Sequence, residues 1–248
     1  KFARDDIHAA NRKLSRVIET QQRFLSILSH DVRAPLYGLN DLLSDSLEHS
    51  ESLEKADLIE MMKTCEDSSR RLSTFFDDAL VWARSEAGGY EERPSFFSLQ
   101  DAFVSVRSLL LPLFEKKKVN LVSDIPSGMA VVCQSNAFAT IIRNLLTNAV
   151  KFSDTDSTVT VRGELVEGRV RVSIVDEGVG MSMDQVEGLF DANRRQSTLG
   201  TGREKGAGVG LILCKSLLEK MDSELVVESS EGRGSRFSFA VPAYQDED

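Results

Sequence analysis

Hydrophobic positions at helical spacing dominate the first third of the chain. From Leu25 to Leu43, apolar residues recur every three or four positions and fall on one stripe of a helical wheel. A second helical pattern runs from Ile59 to Leu80 and stops near the glycine pair at 88–89. The polar segment "DSLEHSESLEKAD" separates the two patterns. We therefore predict a helical hairpin.

Both apolar stripes of this hairpin need a partner. One hairpin cannot bury two stripes, whereas two copies can form a four-helix bundle, so we predict a homodimer. Upstream, a short heptad pattern predicts a parallel coiled coil that leads into the bundle. Its positions are Ile7, Leu14 and Leu28, with Gln21 interrupting, and Ala10, Val17 and Phe24 at the complementary positions.

After Pro94 the pattern changes to short β-like runs with helical stretches between them. Strands interleaved with helices, without strict alternation, predict an α/β sandwich with helices on one sheet face. Residues 90–95 form the expected linker. The expected helices lie near Gln100–Lys118, Asn136–Phe152 and Val209–Met221, and the expected strands are "SFFSL", "VNLVSDI", "TVTVRGEL", "RVRVSIVD", "ELVVESS" and "SRFSFAVP".

Composition and charge narrow the function classes. The formal charge of −9 argues against a general nucleic-acid binder, and no apolar run is long enough to span a bilayer. The three cysteines are scattered without a CxxC spacing, which is typical of reduced residues in a cytosolic protein. Because the chain starts with Lys1 rather than Met, we expect it to be a piece of a longer protein.

A histidine stands beside the proline of the first helical pattern. His30 lies roughly 140° from the centre of the apolar stripe, so we expect it to face solvent. Pro35 cannot donate to the carbonyl of Asp31, and its ring crowds that carbonyl, so the helix should kink or loosen there. A surface histidine beside an accidental proline is the alternative reading of this window.

The stretch "NLLTNAVKF" places Asn144, Asn148 and Lys151 on one face of a predicted helix. Two amide oxygens and an ammonium group suit a Mg²⁺-polyphosphate, because Mg²⁺ prefers hard oxygen ligands and lysine offers a point charge for phosphate. A solvated polar helix face would give the same pattern.

The stretch "VDEGVGM" follows a predicted apolar strand. Asp176 ends that strand, where its carboxylate can accept a hydrogen bond from an exocyclic amine such as adenine N6. Gly178 and Gly180 allow a tight turn or a close approach of the backbone to a ligand. An ordinary Asp-Glu-Gly turn is the alternative.

The stretch "EKGAGVGL" places Gly206, Gly208 and Gly210 before a predicted helix. Glycines that open a helix expose backbone N–H groups to which phosphate binds, although this string fits neither the Rossmann nor the P-loop pattern. The preceding segment, residues 191–205, is polar and basic, which is typical of a mobile lid and also of a disordered loop. Its cations are Arg194, Arg195, Arg203 and Lys205.

In this order, the motifs resemble those of the sensor histidine kinases of two-component signalling. "SHDVRAPL" resembles the H-box of that family, "NLLTNAVKF" its N-box, "DEGVGM" its G1 box and "GAGVGL" its G2 box. Leu189–Phe190 is similar to its F-box, and "GRGSRFSF" to its closing glycine motif. The resemblance covers about residues 20 to 243.

The resemblance implies a domain order and a reaction. Residues 1–19 would be a coiled-coil signalling helix, 20–90 a dimerisation and histidine phosphotransfer domain, and 95–243 an ATP-binding α/β sandwich of the Bergerat type. His30 would accept the γ-phosphoryl group of ATP, with Asp31 as the orienting carboxylate, and pass it to an aspartate of a response-regulator receiver domain. The expected location is the cytoplasm, as a separate protein or as part of a membrane-bound sensor.

The resemblance also assigns the nucleotide site. Mg²⁺ would bind at Asn148 with Asn144 nearby. Two positions depart from the family pattern: Ala34 replaces the usual Thr or Asn, and Asp222–Ser223 replaces a Gly-Gly pair. The expected ATP-binding residues are Asn144, Asn148, Lys151, Asp176, Gly178, Gly180, Phe190, Arg203, Lys205, Gly206, Gly208, Gly210 and Ser235.

Two alternatives to the kinase reading stay open. The first is an ATP-dependent conformational clamp with the same nucleotide fold, against which the H-box on a dimer helix argues. The second is a catalytically silent scaffold, against which the intact Asn144, Asn148, Asp176 and three G2 glycines argue. His8 and His49 match no family motif, and we expect both to be surface residues.

Overall fold

A computed structural model describes residues 32–33, 36–49, 54–86, 93–190, 200–201 and 210–244. They fall into two compact units. The helical unit lies within Lys1–Leu80, and the α/β unit lies within Val81–Gly206 and Gly210–Asp248.

In the described part of the chain, the helical unit is made of two helices, of which the second continues to Glu86, beyond the Leu80 limit of the unit. Residues 36–48 form α1, and Lys55–Glu86 form α2. The two helices contact each other, since the Ser46 hydroxyl lies 3.5 Å from the sulfur of Met61. Both predicted helical patterns are thus confirmed where the structure describes them. The dimeric four-helix bundle stays a prediction.

The strands of the α/β unit form two sheets. The larger sheet has the order β2-β4-β5-β7-β6, in which β2 and β4 are parallel and the other neighbours antiparallel. The smaller sheet pairs β1 with β3 in antiparallel fashion. The bounds are β1 Ser95–Ser98, β2 Asn120–Asp124, β3 Ala130–Cys133, β4 Thr158–Val166, β5 Arg169–Asp176, β6 Val226–Ser229 and β7 Ser235–Pro242.

The core of this unit lies around its central helix. The helices are α3 (Leu99–Lys117), α4 (Ser135–Phe152), the short α5 (Met183–Gly188) and α6 (Gly210–Lys220). α4 contacts α3, α6, β4 and β5, and its apolar stripe, including Ile141 and Leu145, is fully buried. Alternate residues of β4 and β5 are buried as well, as expected for strands with one covered face. The predicted α/β sheet is confirmed.

Two elements were not predicted from the pattern of apolar residues. β3 has only four residues and pairs with β1, which lies more than thirty positions earlier in the chain. α5 has only six residues and begins at a capping box, in which the Ser182 hydroxyl accepts from Gln185 N and the Gln185 side chain accepts from Ser182 N. Neither element is long enough to set up a readable period.

His49 is exposed, and its Nδ1 lies 3.1 Å from the Asp45 carboxylate, as expected for a surface residue; His8 lies outside the described residues. Among the described residues, every helix is too short or too polar to span a bilayer.

Candidate functional site

Asp176 is a buried carboxylate at the end of β5. Only 4% of its surface is exposed. Its Oδ1 atom accepts hydrogen bonds from two backbone N–H groups, Gly178 N at 2.9 Å and Ser235 N at 3.2 Å. No described residue donates a hydrogen bond to the other oxygen, Oδ2. An acceptor held in this way suits a ligand that brings its own N–H donor.

Burial raises the pKa of Asp176 above its ordinary value of 3.8. The cause is desolvation, which disfavours the charged form; the hydrogen bonds from Gly178 and Ser235 act in the opposite direction and are weaker. A buried ionisable group with a shifted pKa is a marker of functional sites.

The loop after Asp176 is held on both sides. Val179 N donates to the carbonyl of Phe152 at 3.1 Å, and Gly232 N donates to the carbonyl of Val179 at 2.7 Å. A side chain at Gly178 would collide with the Phe152 carbonyl oxygen. Gly180 has a φ of +65°, and a side chain there would collide with the backbone of the β6–β7 turn. Both predicted glycines are therefore required by the fold of the loop.

Ser229 is a residue of this site that the sequence did not reveal. Its hydroxyl accepts from Met181 N at 2.9 Å and lies 2.9 Å from the Gly234 carbonyl oxygen and 3.0 Å from the Ser235 hydroxyl. It fixes the loop after β5 to the start of β7. The contacts to Met181 join residues almost fifty positions apart, and no local pattern marks such a serine.

Asn144 lies next to the start of α6. Its Nδ2 donates to the carbonyl of Thr140 at 3.0 Å, which leaves Oδ1 as a free amide oxygen among the described residues. A Cβ atom built on Gly210 would stand 2.5 Å from that oxygen, so the glycine at position 210 lets the Asn144 amide keep this position. Asn148 is half-buried, one helical turn further on.

Two aromatic rings of the site lie close to lysine ammonium groups. The Lys151 ammonium stands 4.5 Å from the centre of the Phe152 ring, and the Lys215 ammonium stands 5.1 Å from that of Phe190. Both distances fit cation–π attraction. Phe190, predicted as part of the site, is thus next to α6.

Several predicted residues lie outside the described part of the chain and remain predictions. They are His30, Asp31, Arg203, Lys205, Gly206 and Gly208. Within that part, no group of three or more His, Cys, Asp or Glu side chains could hold a metal ion. On α4, Asn144 and Asn148 carry amide oxygens of the hard type that Mg²⁺ accepts, and phosphate oxygens and water would complete its shell.

Comparison with known proteins agrees with this geometry. Residues 133–245 match the family of histidine kinase-, DNA gyrase B- and HSP90-like ATPases. The sensor histidine kinase RcsC of Escherichia coli K12 is 32% identical over 234 residues, which cover 91% of this chain and 24% of RcsC. These matches show a sensor histidine kinase catalytic core. The chain spans about a quarter of the length of RcsC.

Solved structures share the fold of this kinase core. The Acinetobacter baumannii histidine kinase AdeS has a TM-score of 0.66 at 16% identity, covering 87% of this chain and 98% of AdeS. The histidine kinase ThkA, solved in complex with the response regulator protein TrrA, has a TM-score of 0.68 at 18% identity, covering 96% of this chain and 65% of that one. The resemblance found in the motifs is confirmed.

Burial of Asp176 gives the unfolding free energy of the kinase core a defined pH dependence. The unfolded carboxyl group loses its proton near pH 3.8, whereas the folded protein keeps it up to the raised pKa. Between these two pKa values the folded state binds more protons than the unfolded state. The contribution of Asp176 to the free energy of unfolding therefore falls as pH rises through this range, and it is constant above the folded pKa. Asp176→Asn should therefore gain stability over the wild type from pH 3.8 upward and then level off. Urea unfolding without nucleotide measures this; a gain that shrinks with rising pH would contradict it.

Proposed function

We propose that this kinase core transfers the γ-phosphoryl group of ATP to His30, and from there to an aspartate of a response-regulator receiver domain. The assignment of ATP binding to this core rests on the buried Asp176. Its Oδ2 atom accepts no hydrogen bond from the described residues. The ATPase family matched by residues 133–245 supports the same assignment.

The side chains of the site have distinct tasks in this proposal. Asp176 Oδ2 accepts a hydrogen bond from the exocyclic amine of adenine. The amide oxygens of Asn144 and Asn148 would hold Mg²⁺, which would neutralise charge on the phosphates. The Lys151 ammonium would supply a further positive charge. Arg203, Lys205 and the G2 glycines would contact the phosphate groups.

The proposed chemical step uses His30 as the nucleophile. A neutral ring nitrogen attacks the γ-phosphorus, the bond from that phosphorus to the β-γ bridging oxygen breaks, and ADP leaves. Asp31 holds the N–H of the other ring nitrogen and stabilises the positive charge that develops on the ring. The receiver aspartate then takes the phosphoryl group from the histidine nitrogen.

Homodimerisation is the second part of the proposal. In the single chain, α1 and α2 expose large apolar side chains, among them Leu47 at 78% and Met62 at 70%. A dimeric four-helix bundle would cover them. We assign residues 20–90 to this bundle, 1–19 to the coiled coil before it and 95–243 to the ATP-binding domain. We propose the cytoplasm as the location, because the reaction needs ATP and a receiver domain.

The partner is proposed from the family and its chemistry. ThkA, whose fold this chain shares, was solved with the response regulator TrrA. A histidine-bound phosphoryl group needs an acceptor, and the aspartate of a receiver domain is the acceptor that the motif resemblance implies.

Labelling with γ-labelled ATP and Mg²⁺ tests the proposed reaction against the clamp alternative. We expect covalent label that survives alkali and is lost in acid, as a phosphorus–nitrogen bond requires, and that passes to a receiver domain. A clamp ATPase would release labelled phosphate without labelling the chain. Binding of ATP without any covalent label would therefore reject the kinase assignment and favour the clamp.

A further inference from the structure

The C-terminal end of α4 holds three separate parts of the α/β unit. The last four carbonyl groups of a helix lack partners within the helix. Here the carbonyls of residues 151–153, which we name the α4 carbonyl cluster, accept hydrogen bonds from distant residues. The donors are Lys117 Nζ to Lys151 O at 2.6 Å, Thr201 N to Lys151 O at 3.2 Å, Val179 N to Phe152 O at 3.1 Å and Thr201 Oγ1 to Ser153 O at 2.6 Å.

Thr201 binds this cluster through its backbone and its side chain. Its hydroxyl also lies 3.5 Å from the Lys151 carbonyl oxygen, but the single hydroxyl proton goes to Ser153, which is much nearer. The Thr201 residue is exposed, although Gly200 before it is buried. Hydrogen bonds rather than burial of its side chain therefore fix Thr201 in place.

Lys117 approaches the same cluster from the end of α3. Its ammonium is partly buried and donates to the Lys151 carbonyl. A positive charge at the C-terminal end of a helix is favoured by the partial negative charge of the exposed carbonyls. The cluster thus combines one cationic donor, one hydroxyl donor and two backbone donors from three segments of the chain.

We propose that Thr201 is a positioning residue for nucleotide binding, acting through the α4 carbonyl cluster. This inference rests on the proposed ATP site. The cluster includes the carbonyl of Lys151, and the ammonium of this lysine is assigned to the phosphates. The cluster also accepts a hydrogen bond from Val179 N. Val179 follows Gly178, whose N–H donates to the Asp176 carboxylate. Loss of the Thr201 hydroxyl removes the described side-chain donor to Ser153 O and loosens the link between residue 201 and the helix that carries Asn144 and Asn148.

Substitution of Thr201 tests this inference. Thr201→Val keeps the shape of the side chain and removes the hydroxyl, and we expect it to weaken the affinity for a non-hydrolysable ATP analogue about three- to tenfold, the range for loss of one hydrogen bond. Thr201→Ser restores the hydroxyl and should bind the analogue like the wild type. Thr155→Val, at an exposed threonine of the same unit, is the matched control and should change nothing. Calorimetric titration of the full chain with Mg²⁺ gives the affinities.

The outcomes separate this inference from the proposed function. If the wild type and Thr201→Val bind the analogue equally, or if the Ser and Val variants are equally weak, the positioning role is wrong while the ATP site stands. If the wild type does not bind the analogue, the ATP site and this inference both fail. Lys117→Met removes the cationic donor of the same cluster and should also weaken binding, which keeps the test decisive if Thr201→Val folds poorly.

Discussion

Replacement of His30 by glutamine should abolish covalent labelling of this kinase core by γ-labelled ATP. A glutamine amide cannot replace the ring nitrogen as a nucleophile, because the lone pair of its nitrogen is delocalised into the carbonyl group. Removal of the attacking group of a covalent mechanism costs at least about 1,000-fold in rate. The measurement is the amount of acid-labile label per chain over time, with the wild type beside the variant.

The affinity for ATP should be unchanged in the same variant. The described nucleotide residues lie in the α/β unit, whereas residue 30 lies in the stretch assigned to the helical unit. His49→Gln is a matched control, because His49 is an exposed histidine with a carboxylate, Asp45, 3.1 Å from its Nδ1 atom. It should label like the wild type. Undiminished labelling of His30→Gln would move the phosphate acceptor to another residue.

The Asp176→Asn variant should lose ATP binding by about 100-fold or more while it stays folded. Two backbone N–H groups, from Gly178 and Ser235, point at Oδ1, so the oxygen of an asparagine must take that position. The amide nitrogen then replaces Oδ2 and presents N–H donors to the N–H donors of the adenine amine. In a buried site, two donors that face each other both lose their hydrogen bonds to water, so the affinity for the ligand falls strongly.

Stability should change in the opposite direction from binding in this variant. Burial penalises the ionised Asp176 side chain, so the neutral amide should raise the melting temperature without nucleotide at neutral pH. Calorimetric titration with an ATP analogue and thermal unfolding measure the two effects. Asp101→Asn, at an exposed position of α3, is the control. A variant that melts lower and binds normally would contradict the assignment of Asp176 to adenine.

Local patterns predicted the elements that repeat over several turns or residues. The apolar stripe of α4 has four to five helical turns and is fully buried, so its helix and its polar face with Asn144 and Asn148 could be predicted together. Along most of β4 and β5, buried residues recur at every second position, as their sequences indicate, and the buried Ser173 of β5 is an exception. The order of the strands in the sheet depends on packing between distant segments and was not predicted.

The contacts that complete the site are long-range and could not be read from the sequence. The Oδ1 atom of Asp176 accepts a hydrogen bond from Ser235 N, fifty-nine positions later in the chain. The Thr201 hydroxyl donates to the carbonyl of Ser153, forty-eight positions earlier. A short signal was present for α5, because Ser182 and Gln185 have the spacing of a capping box. No such signal marks β3, whose four residues form a strand by pairing with the distant β1.

Ala130 joins the first strand of the α/β unit to its last described residue. It pairs with Ser98 of β1, and its carbonyl accepts a hydrogen bond from Tyr244 N at 3.0 Å. The rings of Phe96 and Tyr244 stack at 5.0 Å between centroids. The two ends of the unit therefore meet on one strand, β3. A linker of a few residues could therefore join position 244 to position 95. The new chain ends of such a circular permutant can lie at the exposed turn Glu167–Gly168 between β4 and β5. This permutant would keep every strand pairing of the unit and lose only the turn that is cut.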